Sequence, residues 1–122
     1  MDYKDLSKKA LGNFGESLAA DYLEQAGLKI IERNYRCPKG EIDIVAKEGD
    51  LLVFIEVRAR TSAFRGSAEE SISFQKVQRL KSIGSYYLIK HNYREWPSLR
   101  FDVVAIYFSE EESKINWIKN IF

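Results

Sequence analysis

The sequence predicts an α/β fold in which a central mixed sheet of about five strands is flanked by two main helices. Helical periodicity marks residues 6–26 and 72–90. Residues 41–46 and 51–59 are β-rich and flank a Gly-Asp pair, which is typical of a hairpin. The second helix then leads to another apolar run at 99–108, so these strands should form a parallel β-α-β unit beside the antiparallel hairpin.

Length and composition indicate one globular domain covering residues 1–122. An apolar fraction of 45% and a charged fraction of 30% are ordinary for a soluble protein. No apolar run approaches the ~20 residues of a membrane span, and the first residues lack the core of a signal peptide, so no membrane association is expected. Cys37 is the single cysteine, which favours the reducing cytoplasm.

The first helix, residues 6–26, is expected to bury one apolar stripe. The stripe is formed by Leu11, Phe14, Leu18 and Tyr22. Glu16 lies off this stripe, yet its helical neighbours at three, four and seven residues are small or apolar. Glu16 is therefore either a site residue or an ordinary surface glutamate beside small residues.

The hairpin has two polar exceptions on each strand. A strand at 28–36 and a turn precede it. If Gly49-Asp50 is a two-residue loop, Asp43 lies opposite Glu56 and Glu41 opposite Arg58. A loop one residue shorter or longer would put the two carboxylates on opposite faces.

Facing carboxylates repel each other, so the pairing of Asp43 with Glu56 needs a compensating charge. A divalent cation such as Mg²⁺ or Mn²⁺ is one candidate, because both prefer oxygen ligands and retained waters. The alternative is a solvated face of the sheet on which Lys47, Arg58 and Arg60 balance the acids.

Basic residues are concentrated between residues 57 and 94, where the positive charges exceed the negative ones by six. Residues 60–70 are expected to form a mobile loop, and the helix at 72–90 begins at Ser71 or Ser73 and buries one stripe. That stripe is Val77, Leu80, Gly84, Tyr87 and Leu88. The basic segment suits a polyanionic partner, although a solvated charged helix and a flexible crossover explain it as well. The residues expected to contact nucleic acid are Arg60, Arg65, Gln75, Lys76 and Arg79.

The pattern G-E-I-D followed by E-V-R, with Gly15-Glu16 upstream and a basic helix downstream, resembles the YraN-like family of small bacterial proteins. These are similar in turn to archaeal Holliday-junction resolvases and the PD-(D/E)xK nuclease superfamily. The resemblance covers nearly the whole chain, from Gly12 to Ala105. It implies a restriction-endonuclease-like fold, and a homodimer is possible because resolvase-like proteins typically act as dimers.

The resemblance also implies roles for individual residues. Asp43, Glu56 and the main-chain carbonyl of Val57 would bind Mg²⁺ or Mn²⁺, with Glu16 acting directly or through water. Glu41 and Asp102 would lie beside these ligands without binding the ion, and Asp102 would orient a basic residue. The superfamily has lysine two residues after the glutamate, whereas this chain has Arg58, which cannot act as a base but can position a water and stabilise charge.

Two functions remain compatible with the sequence. The first is a metal-dependent endonuclease that hydrolyses phosphodiester bonds in DNA, including branched DNA in repair or recombination. The second is a catalytically inactive nuclease-fold module that binds nucleic acid or takes part in assembly.

Overall fold

A mixed sheet and two helices make up the described part of the chain, which comprises residues 7–61, 73–109 and 112–121 of the computed structural model. In chain order the elements are α1 (Lys8–Gln25), β1 (Lys29–Cys37), β2 (Gly40–Glu48), β3 (Leu51–Thr61), α2 (Phe74–Lys90), β4 (Leu99–Phe108) and β5 (Lys114–Ile118). The strand order is β1-β2-β3-β4-β5. Strands β3 and β4 are parallel, and the other neighbouring pairs are antiparallel. The predicted α/β fold with a five-stranded mixed sheet is confirmed.

The two helices cover opposite faces of the sheet. Val53 and Ile55 of β3 belong to the apolar cluster that includes α1, whereas Leu52 and Phe54 belong to the cluster that includes α2. Strand β3 is therefore buried on both sides, as its long apolar run predicts. Neither helix of the described residues combines the length and apolarity needed to cross a membrane.

The predicted stripe of α1 is only partly right, because Leu11 is buried and Leu18 packs against the core, but the other two residues are not buried. Phe14 and Tyr22 remain 38% and 39% exposed. The buried residues are Leu11, Gly15, Ala19, Ala20 and Leu23. A Cβ placed on Gly15 would lie 2.9 Å from the Cβ of Ala59. The helix thus approaches the sheet along its smallest side chains, a preference that apolar periodicity alone does not reveal.

Helix α2 begins at Phe74, and Ser73 is its N-cap because the Ser73 hydroxyl accepts a hydrogen bond from the Lys76 amide at 3.1 Å. Its buried residues are Leu80, Ile83, Gly84, Tyr87 and Leu88. The predicted stripe is therefore right except that Ile83 is buried and Val77 is only half-buried.

The hairpin has the predicted register. Pairs run from Glu48 opposite Leu51 to Ile44 opposite Ile55, so the connection is the two-residue loop Gly49-Asp50. Gly49 has a φ of 61°, a conformation that glycine adopts without strain. Strand β3 continues to Thr61, two residues beyond the predicted end. The remainder of the predicted loop at 60–70 lies outside the described residues.

Candidate active site

Strand β2 separates from β3 at Asp43. The β2–β3 pairing stops at Ile44 and Ile55, while β2 stays paired with β1 as far as Gly40 and β3 stays paired with β4 as far as Thr61. In the gap, the Val57 amide donates a hydrogen bond to Asp43 Oδ2 at 2.8 Å. The Asp43 carboxylate thus takes the place of the backbone carbonyl that β2 would otherwise offer to the Val57 amide. We call Asp43, Glu56, Val57 and Arg58 the fork.

Glu56 is the buried acid of the fork, with 5% of its surface exposed. Lys76 Nζ lies 3.0 Å from Glu56 Oε1, and an Arg58 terminal nitrogen lies 3.6 Å from the same oxygen. Arg58 reaches Glu56 because residues two apart on a strand share a face. Lys76 arrives from the first turn of α2, so two elements distant in sequence supply the positive charges around one carboxylate.

Both carboxylates of the fork, Asp43 and Glu56, have raised pKa values. Burial raises the pKa of Glu56, the charge of Asp43 raises it further, and Lys76 opposes the change. Burial also raises the pKa of Asp43 to about 7, helped by Glu16, while the Val57 amide opposes the shift. As a dianion the pair is therefore strained electrostatically, and a bound cation would relieve that strain.

Glu16 of α1 lies near Asp43 of the fork. It is half-buried and close enough to Asp43 to help raise the pKa of that carboxyl. The close contact between Gly15 and Ala59 holds this turn of α1 against β3. Small residues on α1 thus bring a third carboxylate near the pair.

The fork residues suit a magnesium-like cation that keeps most of its waters. Among the described residues, no three His, Cys, Asp or Glu side chains form a metal-binding cluster. Mg²⁺ is commonly held by only one or two carboxylates together with waters. The Val57 carbonyl also faces the gap, because the N–H and C=O of a strand residue point to the same side and the N–H bonds to Asp43. Asp43, Glu56 and this carbonyl would therefore be the ligands, with Glu16 beside Asp43.

Glu41 does not pair with Arg58 as predicted. The β2–β3 ladder ends before these residues. Glu41 instead lies opposite Arg36 of β1, with Arg36 Nε 3.4 Å from Glu41 Oε2. Its charge still adds slightly to the raised pKa of Asp43.

Asp102 was expected beside the active site, and its backbone lies opposite Ile55, next to Glu56 in the chain, but its side chain has partners outside the fork. Asp102 is fully buried and accepts hydrogen bonds from the Arg100 side chain, the Trp117 indole and the Asn120 amide. Arg100 also bonds to Glu48, next to the hairpin turn and away from the fork. Asp102 does orient a basic residue, but it does so where β4 meets the C-terminal segment.

The residues predicted to bind nucleic acid do not share one environment in the structure. Lys76 is bound to Glu56, and its position beside the fork was missed because no local pattern links it to that carboxylate. The Arg79 side chain packs over Gly40, where an added Cβ would lie 3.1 Å from Arg79 Cδ. Gln75 is exposed, and Arg60 donates to the Ala59 carbonyl at 3.0 Å. Arg65 lies outside the described residues.

A cavity of about 430 Å³ adjoins the fork between the first turns of α1 and the end of β3. It is lined by Lys8, Leu11, Gly12, Val57, Arg58, Ala59 and Arg60. Lys8, Leu11 and Gly12 were not predicted as site residues. The one sequence signal for them is Gly12, a glycine inside a helix, where glycine is unfavourable.

The fold and the fork together define an α/β protein with paired carboxylates and basic groups where a hairpin opens. The chain belongs to the family described as "Uncharacterised protein family UPF0102", which it matches over residues 15–106, a range that includes the fork and Lys76. A UPF0102 protein of Desulfitobacterium hafniense (strain Y51) is 51% identical over 117 residues, covering 93% of this chain and 97% of that protein. One from Clostridioides difficile (strain 630) is 44% identical, covering 96% and 100%. The resemblance to YraN-like proteins is confirmed.

Proposed function

We propose that this protein is a metal-dependent nuclease with a restriction-endonuclease-like fold, and that it hydrolyses phosphodiester bonds in DNA. The observation that carries the proposal is the fork, where two carboxylates with raised pKa values lie beside Lys76 and Arg58. A nuclease site needs acids for the cation and bases for the phosphate, and the fork supplies both. The sheet order, with β2 antiparallel and β4 parallel to the central β3, is compatible with the PD-(D/E)xK resemblance.

The chemistry of the chain's own residues follows from the contacts around Glu56. A bound Mg²⁺ or Mn²⁺ would polarise the scissile phosphate and lower the pKa of a coordinated water. Asp43 is held in place by the Val57 amide, so its free oxygen has a fixed direction. Lys76 and Arg58 lie beside Glu56, where they would contact the phosphate and stabilise the charge that develops in the transition state.

Arg58 and Lys76 divide the work that a single lysine performs in the PD-(D/E)xK pattern. Arginine stays protonated at any physiological pH, so Arg58 positions water and stabilises charge without acting as a base. Lys76 brings an ammonium group to 3.0 Å from the same glutamate by way of α2. Although position 58 is arginine instead of lysine, the site still contains a lysine, Lys76, which is supplied by α2.

The direct test is incubation of branched and linear DNA with the protein and Mn²⁺. Asp43→Asn and Glu56→Gln should each reduce nicking by about 100-fold or more, because each removes a charge that supports the transition state. Lys76→Met should also reduce it, whereas Arg58→Lys should preserve or raise it. Gel analysis of nicked products measures all four variants.

Glu41→Gln is the matched control, since Glu41 lies two residues from Asp43 on the same strand and pairs with Arg36. It should leave nicking unchanged. Absence of metal-dependent nicking on branched DNA, linear DNA and RNA would overturn the nuclease proposal, as would full activity of Asp43→Asn.

The second candidate function is a non-catalytic module that binds nucleic acid. It is favoured by one observation: Lys76 and Arg58 already compensate Glu56 without a cation. Salt-dependent DNA binding with no change on adding Mn²⁺ would support this function. The predicted homodimer and cytoplasmic location stay predictions, and sedimentation of the purified chain would test the first.

A further inference from the structure

Strand β1 exchanges its two faces at one residue. Arg33 donates a hydrogen bond to the Ser17 hydroxyl of α1 at 3.2 Å, whereas the Tyr35 ring packs on the Tyr87 ring of α2 with centroids 5.1 Å apart. Residues two apart on a regular strand share a face, yet these two side chains reach helices on opposite faces of the sheet. The strand therefore turns over at the residue between them, Asn34.

Strand β2 exchanges its faces at the same level. Ile42 belongs to the apolar cluster that includes α2, and Ile44 belongs to the cluster that includes α1. The register of β1 with β2 places Asn34 opposite Asp43. Both strands thus change faces at this pair, so the β1–β2 hairpin turns over as a unit.

Strand β3 continues without such a change. Ile55 and Val57 both pack in the cluster that includes α1, and Glu56 between them faces Lys76 of α2. A ladder cannot continue between a strand that turns over and one that does not, because their amides and carbonyls no longer face each other. The reversal thus explains why the β2–β3 pairing ends beside Asp43, which opens the fork.

The backbone of Asn34 has an unusual conformation at the point of reversal. Its φ is 55°, in the left-handed region that residues other than glycine, asparagine and aspartate rarely adopt. Asn34 is also exposed to solvent. The position therefore acts through its backbone, and a residue that resists the left-handed region should oppose the reversal.

The reversal decides where the Asp43 carboxylate lies. On a regular β2, Asp43 would share a face with Val45 and lie opposite Glu56. Instead, its carboxylate accepts the hydrogen bond of the Val57 amide at 2.8 Å, and the amides of a strand point along the plane of the sheet. The carboxylate thus lies between the strands rather than on a face.

We propose that Asn34 is a positioning residue of the fork. Its left-handed backbone turns the hairpin over and holds the Asp43 carboxylate in the gap between β2 and β3. Asn34 acts through Asp43, so it would affect a bound cation only indirectly. Its effect on cleavage rests on the proposed function, whereas its effect on the position of Asp43 does not.

The position of the Asp43 carboxylate can be measured without metal or DNA. Asn34→Val puts a β-branched residue where φ is positive, and Asn34→Gly keeps that φ without strain. In EDTA, the Val57 amide resonance should move in Asn34→Val, as it should in Asp43→Ala, and stay at its wild-type frequency in Asn34→Gly. Nuclear Overhauser contacts between the Ile42 methyl groups and the cluster that includes α2 should weaken in Asn34→Val and persist in Asn34→Gly.

Asn92→Val is the matched control for a loss of stability. Asn92 also has a left-handed backbone, with a φ of 59°, but it lies just beyond the end of α2 that is remote from Lys76. Valine there should lower the unfolding temperature, as it should at Asn34, and leave the Val57 amide resonance in place. The control separates a displaced carboxylate from a destabilised fold.

The same variants should give a matching pattern in cleavage. Asn34→Val should lower kcat for metal-dependent nicking by about 100-fold with little change in KM for DNA, because a small misplacement of a catalytic group has an effect of that size. Asn34→Gly and Asn92→Val should keep the wild-type kcat.

A wild-type Val57 resonance in folded Asn34→Val would overturn the proposal, and so would an equal displacement of that resonance in Asn34→Gly. If Asn34→Val does not fold, Asn34→Ala replaces it under the same criteria, because alanine also disfavours the left-handed region. If the wild type does not nick DNA, the proposed function fails, and the Val57 resonance still decides the proposal about Asn34.

Discussion

The sheet contains two buried acids with opposite environments. Asp102, at the start of β4, receives hydrogen bonds from Arg100, Trp117 and Asn120, which satisfy its oxygens. Glu56, on the neighbouring strand, has the side chains of Lys76 and Arg58 beside one of its oxygens. The nearby carboxylate of Asp43 raises the pKa of Glu56. A buried acid surrounded by donors stabilises the fold, whereas a buried acid facing another acid stores electrostatic strain that a ligand can release.

Removing the charge of Asp102 should have the largest effect on stability. Asp102→Ala leaves the Arg100 guanidinium without its main partner and leaves the Asn120 amide without an acceptor. Breaking a buried ion pair by removing one partner costs about 3–5 kcal/mol. Urea unfolding should show this loss. A loss below about 1 kcal/mol would contradict the structural role of Asp102.

Asp43→Asn should have an effect on stability that depends on pH. The folded protein keeps the Asp43 proton up to about pH 7, whereas the ordinary value is 3.8, so the unfolded chain loses it earlier. Wild-type stability should therefore fall as pH rises from about 4 to about 7, by up to ~1.4 kcal/mol per pH unit, and then level off.

Asparagine can still accept a hydrogen bond from Val57 but has no charge. Asp43→Asn should therefore match the wild type near pH 4 and be more stable above pH 7, as measured by urea unfolding across this range. Parallel pH profiles for the two proteins would show that Asp43 is not destabilised in the folded state.

Of the three substitutions, Glu41→Gln should have the smallest effect on stability, because it removes an exposed acid rather than a buried one. Glu41 is exposed, and its ion pair with Arg36 is one that typically contributes ~0–1 kcal/mol. Its charge is the last of the causes that raise the pKa of Asp43. Thermal unfolding should therefore differ little from that of the wild type. A large change in the unfolding temperature would mean that surface charge, rather than burial, sets the pKa of Asp43.

The sequence predicted local features more accurately than contacts between distant elements. The register of the hairpin was correct because Gly49 and Asp50 form a two-residue loop, which fixes the pairing on either side of it. The buried face of α1 was only partly correct, because the closeness of helix and sheet depends on Gly15 meeting Ala59, forty-four residues away. The contact of Lys76 with Glu56 depends on how α2 packs, and the partners of Asp102 depend on how β5 and the residues after it pack.

The hydrogen bond from Val57 to Asp43 has a practical consequence. One backbone proton reports on one carboxylate, and Val57 remains paired with β4 on its other side, so the strand that carries the reporter is anchored. The nitrogen and proton frequencies of this amide should follow the ionisation of Asp43 and the arrival of a cation. A single resonance could thus be used to screen salts and oligonucleotides before any product of cleavage is sought.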